Sequence, residues 1–337
     1  MNFWSKLPKP FYVLAPMADV TDASFRRVIA KYSSHTRDDG SFGGADVTWT
    51  EFVSADGLAR ATEEGKKRLL ADLIYSEFER PIVAQLFSSN EEHMEYASAL
   101  CLELGFDGVD INMGCPDRSI EKQGCGSAMI KNPELARKII RSAKRGCKSD
   151  GEKGIPVSVK TRLGYNYEQI DEWFPELLAE KPAAITVHAR TRKEMSKVPA
   201  RWERIKQVVA LRNNISPDTL IIGNGDASSI NDAYNRILQS GADGAMLGRA
   251  IFGNPWLFHP EKNSNNITIE ERLRVMVEHT YLFAELLPHK SFAIMKKHYK
   301  AYVHEFPGAS ELRSILMEKT SPEEVEKEVE DFLRMKQ

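Results

Sequence analysis

From residue 12 to residue 247, short apolar runs rich in β-branched residues alternate with longer stretches in which apolar residues recur at helical spacing. This alternation is typical of βα units around a parallel sheet. The short runs occupy residues 12–15, 46–49, 81–85, 108–112, 156–160, 184–188, 220–223 and 244–247. Eight strands match a (β/α)8 barrel better than an open doubly wound sheet, which usually has about five or six. We therefore predict an α/β fold in the form of a (β/α)8 TIM barrel.

The pattern changes after Trp256, where the strand signal ends. Residues 261–266 are polar and turn-rich, as in a linker. Beyond them, Thr268 followed by two glutamates and Ser321 followed by Pro322 are typical helix starts. These features predict a barrel domain over residues 1–260 and a small C-terminal helical domain over residues 267–337.

Composition and charge indicate a folded protein without a global field for nucleic acid. Hydrophobic residues make up 42% of the chain and charged residues 28%, which excludes disordered, collagen-like and membrane-spanning classes. Lys and Arg number 46 against 48 Asp and Glu, so an acidic partner must meet a local basic patch. The four cysteines have no metal-ligand spacing, and we find neither a signal peptide nor a run of about 18 apolar residues. We expect a cytoplasmic protein with no bound metal, no membrane association and no obligate protein partner.

Nearly every predicted strand ends in a polar or Gly/Pro cluster. In chain order these ends read APM, TWTE, AQLF, NMGCP, VKTR, VHAR, GNGD and LGR. Taken singly, each cluster is also what an ordinary strand-to-loop turn contains. In a barrel, however, the carboxyl ends of all eight strands share one face, and that face carries the chemistry. We expect these residues to converge there.

The ends of the seventh and eighth runs carry Gly223-Asn224-Gly225-Asp226 and Gly248-Arg249. Loops at these positions commonly bind phosphate in barrels, because glycine lets backbone N–H groups approach the anion and arginine adds a charged donor. Two tight turns are the alternative interpretation. We favour a cofactor that bears a phosphate.

Cys115 lies between Gly114 and Pro116, just past the fourth run. A lone cysteine is usually a buried structural residue, but these neighbours at a barrel mouth do not suit a core position. With an ordinary pKa of about 8.5, the thiol could donate a proton or, if perturbed, attack as a thiolate. Both roles stay open. Cys125 is a weaker candidate.

Three further polar residues end predicted strands. Lys160 is costly to bury without an acceptor, which suggests a ligand. His188 could contact the same ligand or be a hydrogen-bonded core histidine. Gln85 can both donate and accept, which suits the edge of a flat heterocycle. None of the three identifies a function alone.

Together, these strand ends resemble the motifs of the tRNA-dihydrouridine synthases. The segments that carry the resemblance are 15–22, 50–51, 84–87, 112–116 with Gly124-x-Gly126-Ser127, 159–164, 187–190, 223–226 and 248–249. It covers nearly the whole chain and extends to residues 306–313, which look like the family's RNA-binding helical domain. The resemblance implies an FMN-bound barrel that reduces the 5,6 double bond of a tRNA uridine, with NADPH as electron donor.

The resemblance also assigns roles to the residues. The flavin ring would be contacted by Pro16, Met17, Gln85 and Lys160, with His188 nearby. The ribityl phosphate would be held by Asn224, Gly225, Asp226, Gly248 and Arg249. Asn112 and Arg190 would contact the uracil, which receives a hydride at C6 from the flavin and a proton at C5 from Cys115.

A uridine in folded tRNA must leave its base stack to react, so the enzyme needs contacts with the tRNA backbone. Residues 289–300 contain four lysines, among them Lys296, Lys297 and Lys300, interleaved with aromatic residues. Alone, this run would be read as a solvated helix face. Beside the barrel motifs, it predicts contacts with tRNA phosphates and stacking on bases.

Two departures from the family pattern and three rival functions accompany this interpretation. The polar loop 33–44 is longer than the family usually has, and Cys125 replaces a non-thiol residue, which leaves a Cys115–Cys125 disulfide or a second proton donor open. The rivals are an FMN barrel reductase of a small molecule, of dihydroorotate or enoate type, a non-catalytic tRNA-binding protein, and an aldolase that uses Lys160 as a Schiff base.

Overall fold

A computed structural model describes residues 2–38, 40–148, 154–262 and 266–335. Within these residues, eight parallel strands form one sheet, and each strand pairs with the next along the chain from the second to the eighth, while the first pairs with the eighth. The strands are β1 (Phe11–Leu14), β2 (Thr48–Ser54), β3 (Ile82–Phe87), β4 (Gly108–Met113), β5 (Val157–Arg162), β6 (Ala184–His188), β7 (Leu220–Asn224) and β8 (Gly244–Leu247). The predicted α/β barrel is confirmed.

The barrel closes between β1 and the residues that precede β2. The amide of Asp46 donates to the carbonyl of Tyr12 at 2.8 Å, and the amide of Leu14 donates to Val47 at 3.1 Å. Asp46 and Val47 were predicted as the start of the second strand, but they make these closing bonds, and β2 begins at Thr48. The described sheet therefore leaves no wide gap between its first and second strands.

Helices surround the sheet and follow most of the strands. Those of the barrel are α1 (Ala23–Tyr32), α2 (Ala55–Arg60), α3 (Glu63–Ala71), α4 (Glu91–Glu103), α5 (Arg118–Glu121), α6 (Pro133–Gly146), α7 (Ile170–Ala179), α8 (Glu203–Ile215) and α9 (Ile230–Ser240). Many begin at a side chain that accepts a hydrogen bond from the first turn, such as Asp22 at α1 and Asn132 at α6. The barrel core lies between these helices and the strands, and inside the barrel.

The segment 33–44, which was predicted as a loop, contains a small hairpin. His35–Thr36 pairs in antiparallel fashion with Phe42–Gly43. Asp39 of this segment lies outside the described residues.

The C-terminal region is helical, as predicted. It contains α10 (Ile269–Leu286), α11 (Met295–Tyr302), α12 (Ala309–Leu316) and α13 (Pro322–Arg334). The side chain of Thr268 accepts from the amide of Glu271 at 3.0 Å, and that of Ser321 accepts from Glu324 at 3.3 Å. Both predicted helix starts are therefore confirmed. Residues 263–265 of the predicted linker, and residues 336–337, lie outside the described part of the chain.

The helical region packs on α1 and shares its apolar core with the barrel. Ala23 and Val28 of α1 and Trp256 beyond β8 belong to the same buried cluster as Leu273 and Tyr299 of the helical region. Burial of each large apolar side chain stabilises a fold by roughly 1.5–3 kcal/mol, so this shared cluster holds the two parts together. In the part of the chain that the structure covers, no helix combines the length and the hydropathy needed to cross a membrane.

Candidate active site

A cavity of about 570 Å³ opens at the carboxyl ends of the strands. Ten of the predicted site residues line it: Pro16, Met17, Lys160, His188, Arg190, Asn224, Gly225, Asp226, Gly248 and Arg249. They come from five strands, β1, β5, β6, β7 and β8, or from the turns that follow them. The volume lies within the range of pockets that hold small molecules and cofactors.

Two glycines make room at one end of this cavity. Gly225 has φ +121°, a conformation that side chains rarely adopt, and a Cβ there would lie 2.8 Å from the Cβ of Ala200. A Cβ on Gly248 would come within 3.4 Å of the Met17 sulfur. Backbone without side chains is therefore exposed to the cavity, as a bound phosphate requires.

Asp226 organises the cations at this end. It accepts hydrogen bonds from Arg249, Arg190 and the amide of Ala200, the last at 2.8 Å. Burial acts to raise the pKa of Asp226, but these donors outweigh it and lower the pKa. The side chain of Arg249 remains 65% exposed and can reach a ligand while it stays paired.

Arg190, which was predicted to contact substrate, lines the cavity, but its guanidinium group is already bound by protein acceptors. It is buried and donates to Asp226, to the carbonyl of Val198 at 2.6 Å and to Nε2 of His188 at 3.1 Å. Because Nε2 of His188 accepts this bond, its ring is neutral. Burial, followed by the charges of Arg162 and Lys160, keeps the pKa of His188 well below 6.5.

Lys160 brings a cation to the cavity. None of the hydrogen bonds or ion pairs within the described residues involves its ammonium group, although the side chain is half-buried. Burial and the nearby Arg162 lower its pKa to about 8, against the opposing effect of Asp110 and Cys115. An electron-rich atom of a bound ligand would stabilise this half-buried ammonium group.

Gln85, Asn112 and Cys115 do not line this cavity; they form a hydrogen-bonded chain beside it. Gln85 donates to the buried Asp110 at 2.7 Å and accepts from the amide nitrogen of Asn112 at 3.1 Å. The other end of Asn112 accepts from the backbone of Cys115 at 2.9 Å. Asn112 is also the register partner of Lys160 on β5. The turn that carries the thiol is therefore held directly above the strand that carries the free lysine.

The glycines downstream of Cys115 explain the shape of its turn. Gly126 has φ +61°, and a Cβ there would lie 2.7 Å from the carbonyl oxygen of Cys115. Ser127 follows, and its amide and its hydroxyl both donate to that oxygen at 2.9 Å. Burial raises the pKa of Cys115. The thiol is thus protonated at neutral pH, which favours the proton-donor role over the nucleophilic one.

Comparison with known proteins agrees with this geometry. The family model described as dihydrouridine synthase matches residues 13–337. The chain belongs to the dihydrouridine synthase family. It is 39% identical to "Probable tRNA-dihydrouridine synthase 2" of Bacillus subtilis (strain 168), over 99% of this chain and 97% of that protein. It is also 39% identical to "Probable tRNA-dihydrouridine synthase" of Staphylococcus aureus (strain MRSA252), over 98% and 95%. The family predicted from the motifs is confirmed.

A solved structure of histamine dehydrogenase from Rhizobium sp. 4-9 shares the fold. Its TM-score is 0.50 at 13% identity, and the alignment covers 81% of this chain but 48% of that protein. This chain thus spans about half of that longer enzyme, and at such identity the likeness shows the fold alone. Membership of the dihydrouridine synthase family, by contrast, supports a flavin cofactor in general.

Cys125 lies behind the Cys115 turn and is not bonded to it. All four cysteines are free thiols, so the disulfide alternative is wrong for this structure. Cys125 is fully buried with Phe87 and Ile120, and burial raises its pKa to about 11. It has the surroundings of a packing residue.

The lysine run of the helical domain is only partly as predicted. Lys296 and Lys297 are half-buried and Lys300 is exposed on α11, so all three can meet a polyanion. Two rings of the run, those of His298 and Tyr299, are buried in the core and cannot stack on bases, whereas Phe292 is half-buried. The fourth lysine, Lys290, is also withdrawn from solvent.

The sequence reasoning missed two residues of the site, Asp110 and Arg162. Asp110 is fully buried and accepts from Ser158 at 2.6 Å as well as from Gln85. Arg162 donates to the carbonyl of Gly114 at 2.7 Å and so supports the Cys115 turn. Asp110 is two residues before Asn112, and Arg162 is two residues after Lys160. Residues two apart in a strand lie on the same face, so this spacing could have predicted both residues.

Proposed function

We propose that this protein is a tRNA-dihydrouridine synthase that reduces the 5,6 double bond of uridines in tRNA, with FMN as cofactor and NADPH as electron donor. The observation that carries the proposal is the Cys115 turn, held by Asn112 and Ser127, beside a cavity lined by Gly225, Gly248 and Arg249 at one barrel mouth. Family membership and the two relatives named as probable tRNA-dihydrouridine synthases support the substrate.

The cavity residues fit a flavin mononucleotide. Gly225 and Gly248 leave backbone open at the end where Arg249 offers a cation, which suits the phosphate. Lys160 would then lie beside the ring system and would supply the positive charge that a reduced flavin favours. When bound and reduced by NADPH, FMN would supply the hydride for C6 of the uracil.

The remaining chemistry belongs to side chains of this protein. Cys115 holds the proton for C5 on its sulfur, because burial keeps the thiol neutral. Asn112 positions that turn through its carbonyl oxygen and retains one amide hydrogen for a substrate carbonyl. The neutral His188 can accept or donate without adding charge beside the ring.

Replacement of Cys115 tests the proposal. We expect Cys115→Ala to keep its flavin absorbance and its NADPH oxidation, while the rate of dihydrouridine formation in tRNA falls by roughly 10²–10⁴-fold, the usual contribution of a general acid. The substrate is tRNA from a strain that lacks the enzyme, and the measurement is its dihydrouridine content after incubation with each variant and NADPH. Cys125→Ala is the matched control and should keep its rate. Full activity of Cys115→Ala would remove this thiol from the mechanism, and a wild-type protein without flavin would remove the function itself.

The role of the helical domain has a separate test. Replacing Lys296, Lys297 and Lys300 together by Ala should weaken tRNA binding and lower its salt dependence, since each phosphate contact contributes about 0.9 to the slope of log K against log salt on duplex nucleic acid. NADPH oxidation without tRNA should be unchanged. Equal loss of both would indicate misfolding rather than lost contacts.

A further inference from the structure

The Thr50-Glu51 pair of β2 has a conformation that the proposed chemistry does not explain. Thr48 and Trp49 pair with Ile82 and Val83 of β3, but the next pairing joins Phe52 to Gln85. Two residues of β2 therefore oppose one residue of β3, as in a β-bulge, and bulges near active sites commonly re-aim a side chain. The hydroxyl of Thr50 accepts from the amide of Gln85 at 3.0 Å and so bridges the interrupted ladder.

The bulge directs Glu51 toward the loop that lines the cofactor cavity. One carboxylate oxygen of Glu51 accepts from the amide of Asp19. Asp19 lies two residues beyond Met17 and has φ +53°, in the left-handed region that costs energy for most residues. Pro16 and Met17, at the start of the same loop, line the cavity.

Local bonds hold only part of this loop. The amides of Val20 and Thr21 donate to the carbonyl of Met17 at 3.1 and 3.0 Å, and the amide of Met17 donates to the Thr21 hydroxyl at 2.8 Å. These bonds close the loop on itself. Its strained apex at Asp19 is tied to the rest of the barrel through Glu51.

The second oxygen of Glu51 is bound by the helical region. It accepts from Nζ of Lys290 at 2.5 Å, and the same ammonium group lies 2.9 Å from Asp72. The side chains of Lys290 and Glu51 are 13% and 8% exposed. Burial alone would lower the pKa of Lys290, but the two carboxylates outweigh it and raise the pKa, so the ammonium group stays charged.

We propose that Lys290 and Glu51 are positioning residues that tie the helical domain to the cofactor-contacting loop, so that this wall of the flavin site has its geometry only when the helical domain is docked. The proposal rests on the proposed function in one respect, because it takes the cavity to be a flavin site. It also accounts for Lys290, which the sequence assigned to phosphate contacts.

Flavin titration of four variants tests this link. Lys290→Met should weaken FMN binding by about tenfold, equivalent to about 1.4 kcal/mol, and should change the visible circular dichroism of the bound flavin, because Glu51 loses its cation and releases Asp19. Lys31→Met is the matched control: Lys31 pairs with Glu278 at 2.8 Å, also between barrel and helical domain, but far along α1 from the cavity loop. It should leave both readouts unchanged.

Two Glu51 variants decide whether Lys290 acts through Glu51. Glu51→Gln should weaken FMN binding and alter the same dichroism band, and adding Lys290→Met to it should cause no further loss. The double variant removes both members of the Lys290–Glu51 pair and leaves only Asp72, which is 27% exposed and lies 3.5 Å from His289, so it keeps the test valid if Lys290→Met alone fails to fold.

Three results would overturn the link. They are wild-type FMN affinity and dichroism in Lys290→Met, equal effects of Lys290→Met and Lys31→Met, and losses that simply add in the double variant. A wild-type protein that binds no FMN would instead overturn the proposed function, so the two failures are distinguishable.

Discussion

At the barrel mouth, the buried guanidinium of Arg190 donates to Asp226, His188 and a backbone carbonyl. At the interface between α1 and the helical domain, by contrast, two buried histidines lie among apolar and aromatic side chains. Neither ring nitrogen of His279 has a hydrogen-bond partner among the described residues, nor has Nε2 of His298. The two imidazole rings lie 4.7 Å apart, edge to face, and both pack against Phe25.

The difference between the barrel mouth and this interface shows which forces stabilise each region. At the mouth, directional bonds to charged groups set the positions of the side chains, so geometry there depends on the charge of each member. At the interface, shape and apolar packing dominate, and unmade hydrogen bonds cost about 1–3 kcal/mol each. That cost is tolerable only while the imidazoles are neutral. The mouth should therefore be sensitive to deleted charges, and the interface to added ones.

The largest effect should follow deletion of the Arg190 charge. Arg190→Met leaves Asp226 without its buried partner, and loss of one member of a buried pair typically costs about 3–5 kcal/mol. We expect the free energy of unfolding, measured in urea at pH 7, to fall by that amount. Arg190→Lys keeps the charge but not the three directed bonds and should lie between Met and wild type. A loss below about 1 kcal/mol in Arg190→Met would show that the charged groups at the barrel mouth contribute as little to stability as an exposed ion pair.

Lowering the pH should destabilise the interface between α1 and the helical domain. Burial lowers the pKa of His279 to about 4 from 6.5, with Asp22 and Glu278 opposing the shift, and the pKa of His298 is lowered as well. The unfolded chain binds more protons between these values, so stability is complete above pH 6.5 and is lost as the pH falls toward 4. For His279 alone the loss is about 3 kcal/mol.

His279→Leu removes this titration and is the control for the pH profile. Its free energy of unfolding should vary less between pH 6.5 and 4 than that of the wild type, and the Arg190→Met variant should keep the wild-type slope. Identical slopes in His279→Leu and wild type would place the acid sensitivity elsewhere.

The sequence predicted the strands well because each is a short apolar run that only a buried parallel strand explains. The runs at 184–188 and 244–247 coincide with β6 and β8. Asp46 and Val47 were misassigned because their hydrogen bonds go to Tyr12 and Leu14, and no local pattern shows which edge closes a barrel. The hairpin in segment 33–44 was missed for a similar reason, since its strands are two residues long.

Some residues that line the cavity were predictable, because the residue type alone indicates an open turn. Gly225 and Gly248 belong to turns that need open backbone, and they line the cavity. The partners of polar side chains were not predictable, because they are set by contacts across the fold. Lys290 was read as a phosphate ligand from its neighbours in sequence, yet it pairs with Glu51, 239 residues away. Periodicity shows which face a residue lies on, but not which charge it meets.

The smallest of these effects should come from Cys125, which sharpens the comparison because it is buried close to the mouth yet belongs to neither polar network. Its sulfur packs with Phe87 and Ile120, and its thiol donates to the carbonyl of Gln123 at 3.5 Å. Cys125→Ala should lower the free energy of unfolding by about 1 kcal/mol, as loss of a small packed group does. Dihydrouridine formation and the rate of Cys115 alkylation should stay at wild-type values. A fall in dihydrouridine formation without a change in flavin binding would make Cys125 a second proton donor and would extend the polar network behind the thiol turn.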